Sequence, residues 1–293
     1  MSKTRVSLAI LGAILILACV SGCASLTFLA ANAPTVFSHV DRHVNLAYGA
    51  EPRQQLDVYE PQMAAKQPVV IFWYGGSWQK GNKSNYRFVG NALAKLGFVA
   101  VLPDYRLYPQ VKFPLFDEDG AQAVAWVEQH AQEFGGDPKR IVLMGHSAGG
   151  HTAAFLAFNH AFLERFGASS KDIVGLIGLS GPYVLVPDSD ALRAAFAAPF
   201  SDKDWQPIRF VDSQAPPALL LHGLSDREVL PRESIELRDA LVRAHVRVEM
   251  HLFPHRGHDD TLAPFALLAR WRAPVVKEVA AFVRSVSNGE AVR

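Results

Sequence analysis

Ile141-Val142-Leu143-Met144-Gly145-His146-Ser147-Ala148-Gly149-Gly150 is the stretch on which the reading of this chain turns. The four apolar residues at its start suit a strand buried on both faces. Ser147 follows, with Gly145 and Gly149 on either side in a G-x-S-x-G pattern, and Gly150 to Phe158 is helix-like. That order meets a specific physical demand. A serine on a sharp strand-to-helix turn has its hydroxyl lifted above the sheet edge, and flanking glycines permit the strained backbone and close packing. The pattern alone is weak: with glycine at about 7% of residues, a chance match somewhere in a chain of this size is on the order of one in ten. The strand before it and the helix after it carry the argument.

Outward from this point, strand-like and helix-like stretches alternate, as in a mostly parallel sheet covered by helices. Pro68 to Trp73, Phe98 to Leu102, Val174 to Leu179 and Ala218 to His222 are short apolar runs, and Val246 to Phe253 alternates. His43 to Tyr48 and Gln55 to Tyr59 are separated by Gly49-Ala50-Glu51-Pro52, which predicts an antiparallel edge hairpin. Helices are expected over Asp117 to Gln132, Ala148 to His160 and Pro231 to Arg243, the last with proline at a favourable first position and Glu233 in its first turn. Phe265 to Val286 is apolar on one face, and Pro274 is expected to kink or split it. The expected fold is α/β, a mostly parallel central sheet with helices on both faces. Residues 187–217, richer in Pro, Asp and Ser, read as an insertion forming a small lid. No linker divides residues 43–288, which are expected to form one domain.

The chain has 293 residues, 49% of them apolar, and a formal net charge of +1. This balance fits a globular protein with a sizeable core and gives no sign of a nucleic-acid partner. At the N-terminus, Lys3 and Arg5 precede an apolar stretch from Val6 to Val20. At about 15 residues it is short for a membrane span and suits a signal sequence. Val20-Ser21-Gly22-Cys23 resembles the bacterial lipobox, in which the cysteine is lipidated and becomes the mature N-terminus. Residues 1–22 are therefore expected to be a lipoprotein signal peptide, Cys23 the site of a membrane lipid anchor, and residues 23–42 a tether. Ala24, where Asp would resemble an inner-membrane retention signal, favours export to the outer membrane. An ordinary cleaved signal peptide or an uncleaved anchor are the competing readings. Cys19 and Cys23 are the only cysteines, so the mature chain is expected to hold no internal disulfide.

Three other segments complete a candidate site. Trp73-Tyr74-Gly75-Gly76-Ser77-Trp78 follows a central strand, and its small residues would let backbone N–H groups approach an oxyanion, with the Ala148 N–H as a second donor. Leu221-His222-Gly223-Leu224-Ser225-Asp226 places an acid after a later strand. Phe253-Pro254-His255-Arg256-Gly257-His258 places a base after the last one. The order Ser, acid, His suits an acyl-transfer triad: His takes the serine proton, and the acid fixes its tautomer and stabilises the imidazolium. His255 competes with His258, and Glu228 with Asp226. His251, His255, His258 and Asp259 could also be read as a metal cluster, but their spacing matches no zinc motif. His222 and His146 read as packed structural residues.

With these residues in view, the chain resembles α/β-hydrolase esterases of the hormone-sensitive-lipase and feruloyl-esterase-like kind, a group that also includes kynurenine formamidase-like enzymes. The resemblance covers about residues 43 to 285. It rests on Tyr48-Gly49 with Leu56-Asp57-Val58-Tyr59, on Pro103-Asp104-Tyr105-Arg106-Leu107 with Phe113-Pro114, on Asp119, Ala123 and Trp126, on Phe134-Gly135-Gly136-Asp137-Pro138, and on Leu179-Ser180-Gly181. It implies Ser147, Asp226 and His258 as the triad, Gly76, Ser77 and Ala148 as oxyanion donors, Arg106 as a structural residue, and no cofactor. The implied substrate is a small-molecule carboxylic ester. An amidase or arylformamidase is the alternative within the same chemistry, and a non-catalytic binding module on the same scaffold is a further one. One departure stands out: the family usually has His at the position of Tyr74, where it braces the oxyanion loop.

Overall fold

The computed structural model describes residues 26–62 and 66–288. The apolar stretch Val6 to Val20 and Cys23 lie outside the described residues. Among those described, no helix is long and apolar enough to cross a membrane.

Eight strands form one sheet: β1 (Asp41–Ala47), β2 (Gln55–Glu60), β3 (Gln67–Trp73), β4 (Val99–Pro103), β5 (Gly136–His146), β6 (Ile173–Leu179), β7 (Ala218–Gly223) and β8 (Val248–Phe253). Their order across the sheet is β1-β2-β4-β3-β5-β6-β7-β8. β2 is antiparallel to both β1 and β4, and every pair from β4 to β8 is parallel. β2 alone therefore runs against the rest, and the expected edge hairpin is β1–β2. Every residue of β4 and β7, and residues 141–146 of β5, are buried whichever way they point. Layers must cover both faces to achieve this. This is the α/β-hydrolase arrangement.

The helices are α1 (residues 26–32), α2 (Arg87–Lys95), α3 (Leu115–His130), α4 (Ala148–Phe158), α5 (His160–Glu164), α6 (Asp190–Ala195), α7 (Asp202–Trp205), α8 (Arg232–Arg243) and α9 (Val275–Ser287). α4 is buried along its whole length and packs on β5, β6 and β3. A helix apolar all round belongs in a core, and this one places the Ser147 turn at the sheet centre. The stretch from Phe265 to Val286 is divided at Pro274, as expected, but the part before it is not α-helix. Residues Ala263–Phe265 and Leu267–Arg272 form 3₁₀ turns, and α9 starts only after Pro274. Pro274 lacks the N–H that an unbroken helix needs and stands at the cap of the new one. In residues 187–217, α6 and α7 dock through Phe196 and Trp205, which pack on Phe113 at 5.7 and 6.2 Å between ring centroids. The Phe113 N–H also donates to Ala195 O at 2.9 Å.

Candidate active site

Ser147 sits between β5 and α4 with φ 54° and ψ −126°. A non-glycine residue with positive φ is strained, and the surroundings must hold it there. The Ser147 N–H donates to Leu179 O at 2.9 Å, and its carbonyl accepts from Gly150 and His151 at the start of α4. The glycines leave no room for side chains: a Cβ on Gly149 would run into the Trp73 carbonyl, and one on Gly145 into the Gly149 carbonyl. The strand β3, the nucleophile turn and the helix thus close on one another through bare backbone.

Asp226 and His258 meet at the same sheet end. His258 Nδ1 lies 2.8 Å from Asp226 Oδ2, with both side chains buried. The other carboxylate oxygen, Oδ1, accepts from the N–H groups of Glu228 and Val229 at 2.9 and 3.0 Å. Burial works against the Asp226 anion, but hydrogen bonds from His222 and His258 outweigh it and hold its pKa well below the usual carboxylate range. Burial likewise works against a charged His258, but the Asp226 hydrogen bond and charge dominate, and its pKa is raised above 6.5. Of the competitors, His255 and Glu228 are exposed. Glu228 touches the site only through its backbone N–H. His251 faces Glu278 at 3.8 Å.

Several partners of this pair were not read from the sequence. His222 Nε2 lies 2.9 Å from Val229 O and 3.2 Å from Asp226 Oδ2, both acceptors, so Nε2 carries the proton. Its Nδ1 then accepts from the Ser234 hydroxyl at 2.8 Å. His146 Nε2 donates to the His258 carbonyl at 3.2 Å, and burial lowers the His146 pKa to about 3, so this imidazole stays neutral. Thr261 donates to the same carbonyl at 3.3 Å and bonds the Ser180 hydroxyl at 3.1 Å. The residue next to the serine therefore grips the backbone of the base. The serine hydroxyl makes no hydrogen bond among the described residues. Contacts of this kind tighten in the substrate complex.

The loop expected to hold an oxyanion lies against Ser147. A Cβ on Gly75 would stand 2.8 Å from Ser147 Cβ. Gly76, Ser77 and Trp78 all have positive φ, and the N–H groups of Gly76 and Ser77 donate to no acceptor among the described residues. Ala148 is the first residue of α4, where a helix leaves its N–H free of intrahelical bonds. Tyr74, where the resemblance implies His, braces this loop. Its ring is stacked between Tyr86 at 5.2 Å and Tyr105 at 4.8 Å. Its hydroxyl donates to Asp104 Oδ1 at 2.6 Å and accepts from Arg53 at 2.9 Å. Arg53 also donates to Gly81 O at 3.0 Å, which closes the loop. Arg106 is held by the Asp119 carboxylate at 2.6 Å, away from the triad. A cavity of about 520 Å³ lined by Arg42, Arg53, Lys83, Arg87 and Asp104 lies behind this brace and is lined by none of Ser147, Asp226 and His258.

The BD-FAE family model matches residues 56–185. A probable isoprenylcysteine alpha-carbonyl methylesterase of Arabidopsis thaliana is 32% identical over 74% of this chain and 57% of its own length. Esterase LipC of Mycobacterium tuberculosis is 32% identical over 83% of this chain and 65% of its own. The chain thus spans little more than half the length of the first of these curated relatives. The butyrate-bound structure of a thermophilic esterase from Thermogutta terrifontis superposes with a TM-score of 0.70 at 25% identity, covering 83% of this chain and 94% of that one.

Proposed function

Because the chain belongs to the α/β-hydrolase esterase family, we propose that it is a serine hydrolase of carboxylic esters that works through an acyl-enzyme. Ser147 Oγ attacks the ester carbonyl carbon as His258 Nε2 takes its proton, and the Ser–acyl bond forms. The oxyanion is held by the N–H groups of Ala148 and of the Gly76–Ser77 turn. The carbonyl reforms, the alcohol leaves with the proton from His258, and water activated by the same imidazole then releases the acid. Asp226 keeps the His258 proton on Nδ1, so that Nε2 is free to act as base. The observation that carries this reading is the strained Ser147 turn, whose neighbour His146 bonds the carbonyl of His258 in a buried His258–Asp226 pair.

Hydrolysis of p-nitrophenyl acetate by the full-length protein tests it. Ser147→Ala is expected to lower kcat by on the order of 10⁴ or more, and activity that survives the substitution ends the reading. The relatives' printed names point to esters rather than amides. A panel of short-acyl, aromatic and sugar esters beside N-formyl amides assigns the substrate class, and faster turnover of the amides would replace the esterase by an amidase.

The location is proposed from residues 1–24: export as a lipoprotein, acylated at Cys23 and attached to the outer membrane. Incorporation of labelled palmitate that Cys23→Ala abolishes is the expected result, and label retained by that variant would refute it.

A further inference from the structure

We propose that the exposed apolar surface formed by residues 26–37 and Leu267–Arg272 seats on a phospholipid bilayer and holds the loop carrying His258 at the membrane interface. The proposal is independent of the hydrolytic reading and adds to the lipid anchor a second, protein-borne contact. Val36 and Phe37 are 77% and 86% exposed, and Leu268 and Trp271 are 72% and 73% exposed. Single exposed apolar residues are ordinary, whereas clustered ones mark a contact surface. These two runs flank one helix. The Asn32 side chain caps the start of α2, donating to Asn85 O at 2.8 Å and accepting from Phe88 N–H at 3.0 Å. Phe28 meets Tyr86 edge-on at 5.0 Å. Ala33–Phe37 and Ala263–Phe265 both pack on α2, and the latter turn leads directly into Leu267–Arg272.

Two observations identify the occupant. Leu26 follows Cys23 by three residues, and three residues of extended chain reach at most about 11 Å. With Cys23 acylated, the first exposed leucine of this surface cannot leave the vicinity of the bilayer. The second run has the chemistry of a headgroup layer. Trp271 lies between Arg270 and Arg272, and the guanidinium groups of Arg256 and Arg272 both stand 5.7 Å from its ring centroid. Aromatic rings with a polar edge and long cationic side chains that reach outward are the residues that settle at the bilayer surface. The carboxylates beside them are Asp260, paired with Arg272 at 2.6 Å, and the exposed Asp259. Three arginines against two carboxylates suit a surface of phosphates.

The protein carries its own probe, because Trp73, Trp78 and Trp205 are buried, Trp126 is partly buried, and Trp271 is the exposed tryptophan. Full-length protein is reconstituted into vesicles of phosphatidylcholine and phosphatidylglycerol, with and without brominated acyl chains. Brominated lipid is expected to quench the wild type at least twofold more strongly than Trp271→Phe, and aqueous iodide to lose access to Trp271 relative to the protein in detergent. Unchanged hydrolysis of p-nitrophenyl acetate by Trp271→Phe shows that the variant folds. Equal quenching of the two proteins by brominated lipid overturns the proposal. So does vesicle-bound protein whose Trp271 stays open to iodide, an outcome that leaves the anchor standing and rejects this face. A Trp271 shielded equally in lipid-free dimers would instead assign the surface to a second copy of the chain. Loss of hydrolysis in the wild type would strike the enzyme reading and not this one.

Discussion

His222 Nε2 stands 3.2 Å from the same oxygen of Asp226 that His258 Nδ1 meets at 2.8 Å. The acid of the proposed triad is thus shared between two imidazoles. One of them, His222, is fully buried and locked by Ser234 and the Val229 carbonyl. We expect His222→Phe to lower kcat on the order of tenfold with little change in KM, since hydrogen bonds to a charged group contribute about 1.5–3 kcal/mol. Steady-state kinetics on a soluble ester checks this. A KM effect alone would place His222 outside the positioning of Asp226.

The pH dependence follows from the sign of the His258 shift. As the proposed base, His258 works as neutral imidazole, and its pKa is raised above 6.5 because Asp226 more than offsets the effect of burial. kcat/KM is therefore expected to fall as pH drops through a midpoint above 6.5 and to be level on the alkaline side of it. Asp226→Asn removes the charge that raises the pKa. It is expected to move the acid limb to lower pH and to cost on the order of 10⁴ in kcat. A profile with no acid limb would remove His258 from the role of base.

Tyr74 offers a test of the loop brace. Its hydroxyl links Asp104 to Arg53, and through Arg53 to Gly81 O. Tyr74→Phe keeps the ring stack and deletes the link, leaving a buried carboxylate with one fewer donor. Stability is expected to fall by about 1–3 kcal/mol and kcat to fall more than KM rises, because the loop would hold its N–H groups less firmly. Urea unfolding and kinetics on the same preparation separate the two effects.

Asp117 is a buried carboxyl outside the triad. Its Oδ1 accepts from Thr152 at 2.7 Å, its Oδ2 has no hydrogen-bond partner among the described residues, and burial raises its pKa to about 7. The folded state holds this proton more tightly than the unfolded one. Its contribution therefore favours folding at low pH and is lost as pH rises through about 7. Asp117→Asn is expected to raise stability at pH 8–9 by on the order of 1–3 kcal/mol relative to its effect below about pH 4, because the loss sets in above the unfolded value of 3.8 and is complete near 7. An equal effect below pH 4 and at pH 8–9 would contradict the shift.

Much of this architecture can be read from short-range pattern. The run Ile141 to Met144, the flanked Ser147 and the apolar residues after it specify β5, the turn and α4 because every position there except Ser147 is buried. Asp226 and His258 can be found because each follows a strand in the expected order. The break at Pro274 and the helix after it are as expected; only Phe265 to Arg272 departs, where one-sided apolar spacing suggests a helix although Leu267, Leu268 and Trp271 face outward. α2 was not expected either: Gly90 weakens its helical pattern, and the reason for that glycine is the Tyr59 ring packed where a Cβ would stand. His222, His146, Thr261 and Ser180 bear on the site only through contacts between distant segments, which no local spacing encodes. Tyr74 could be flagged as a departure, but its partners Asp104 and Arg53 are visible only in three dimensions.

The measurement that tests the central claim most directly is covalent labelling of the full-length protein with a fluorophosphonate, followed by peptide mass mapping. The account predicts one phosphonate adduct, on Ser147, which forms faster as pH rises through the His258 midpoint and is absent from Ser147→Ala. An adduct on another residue, or none in a preparation that still hydrolyses p-nitrophenyl acetate, would contradict it.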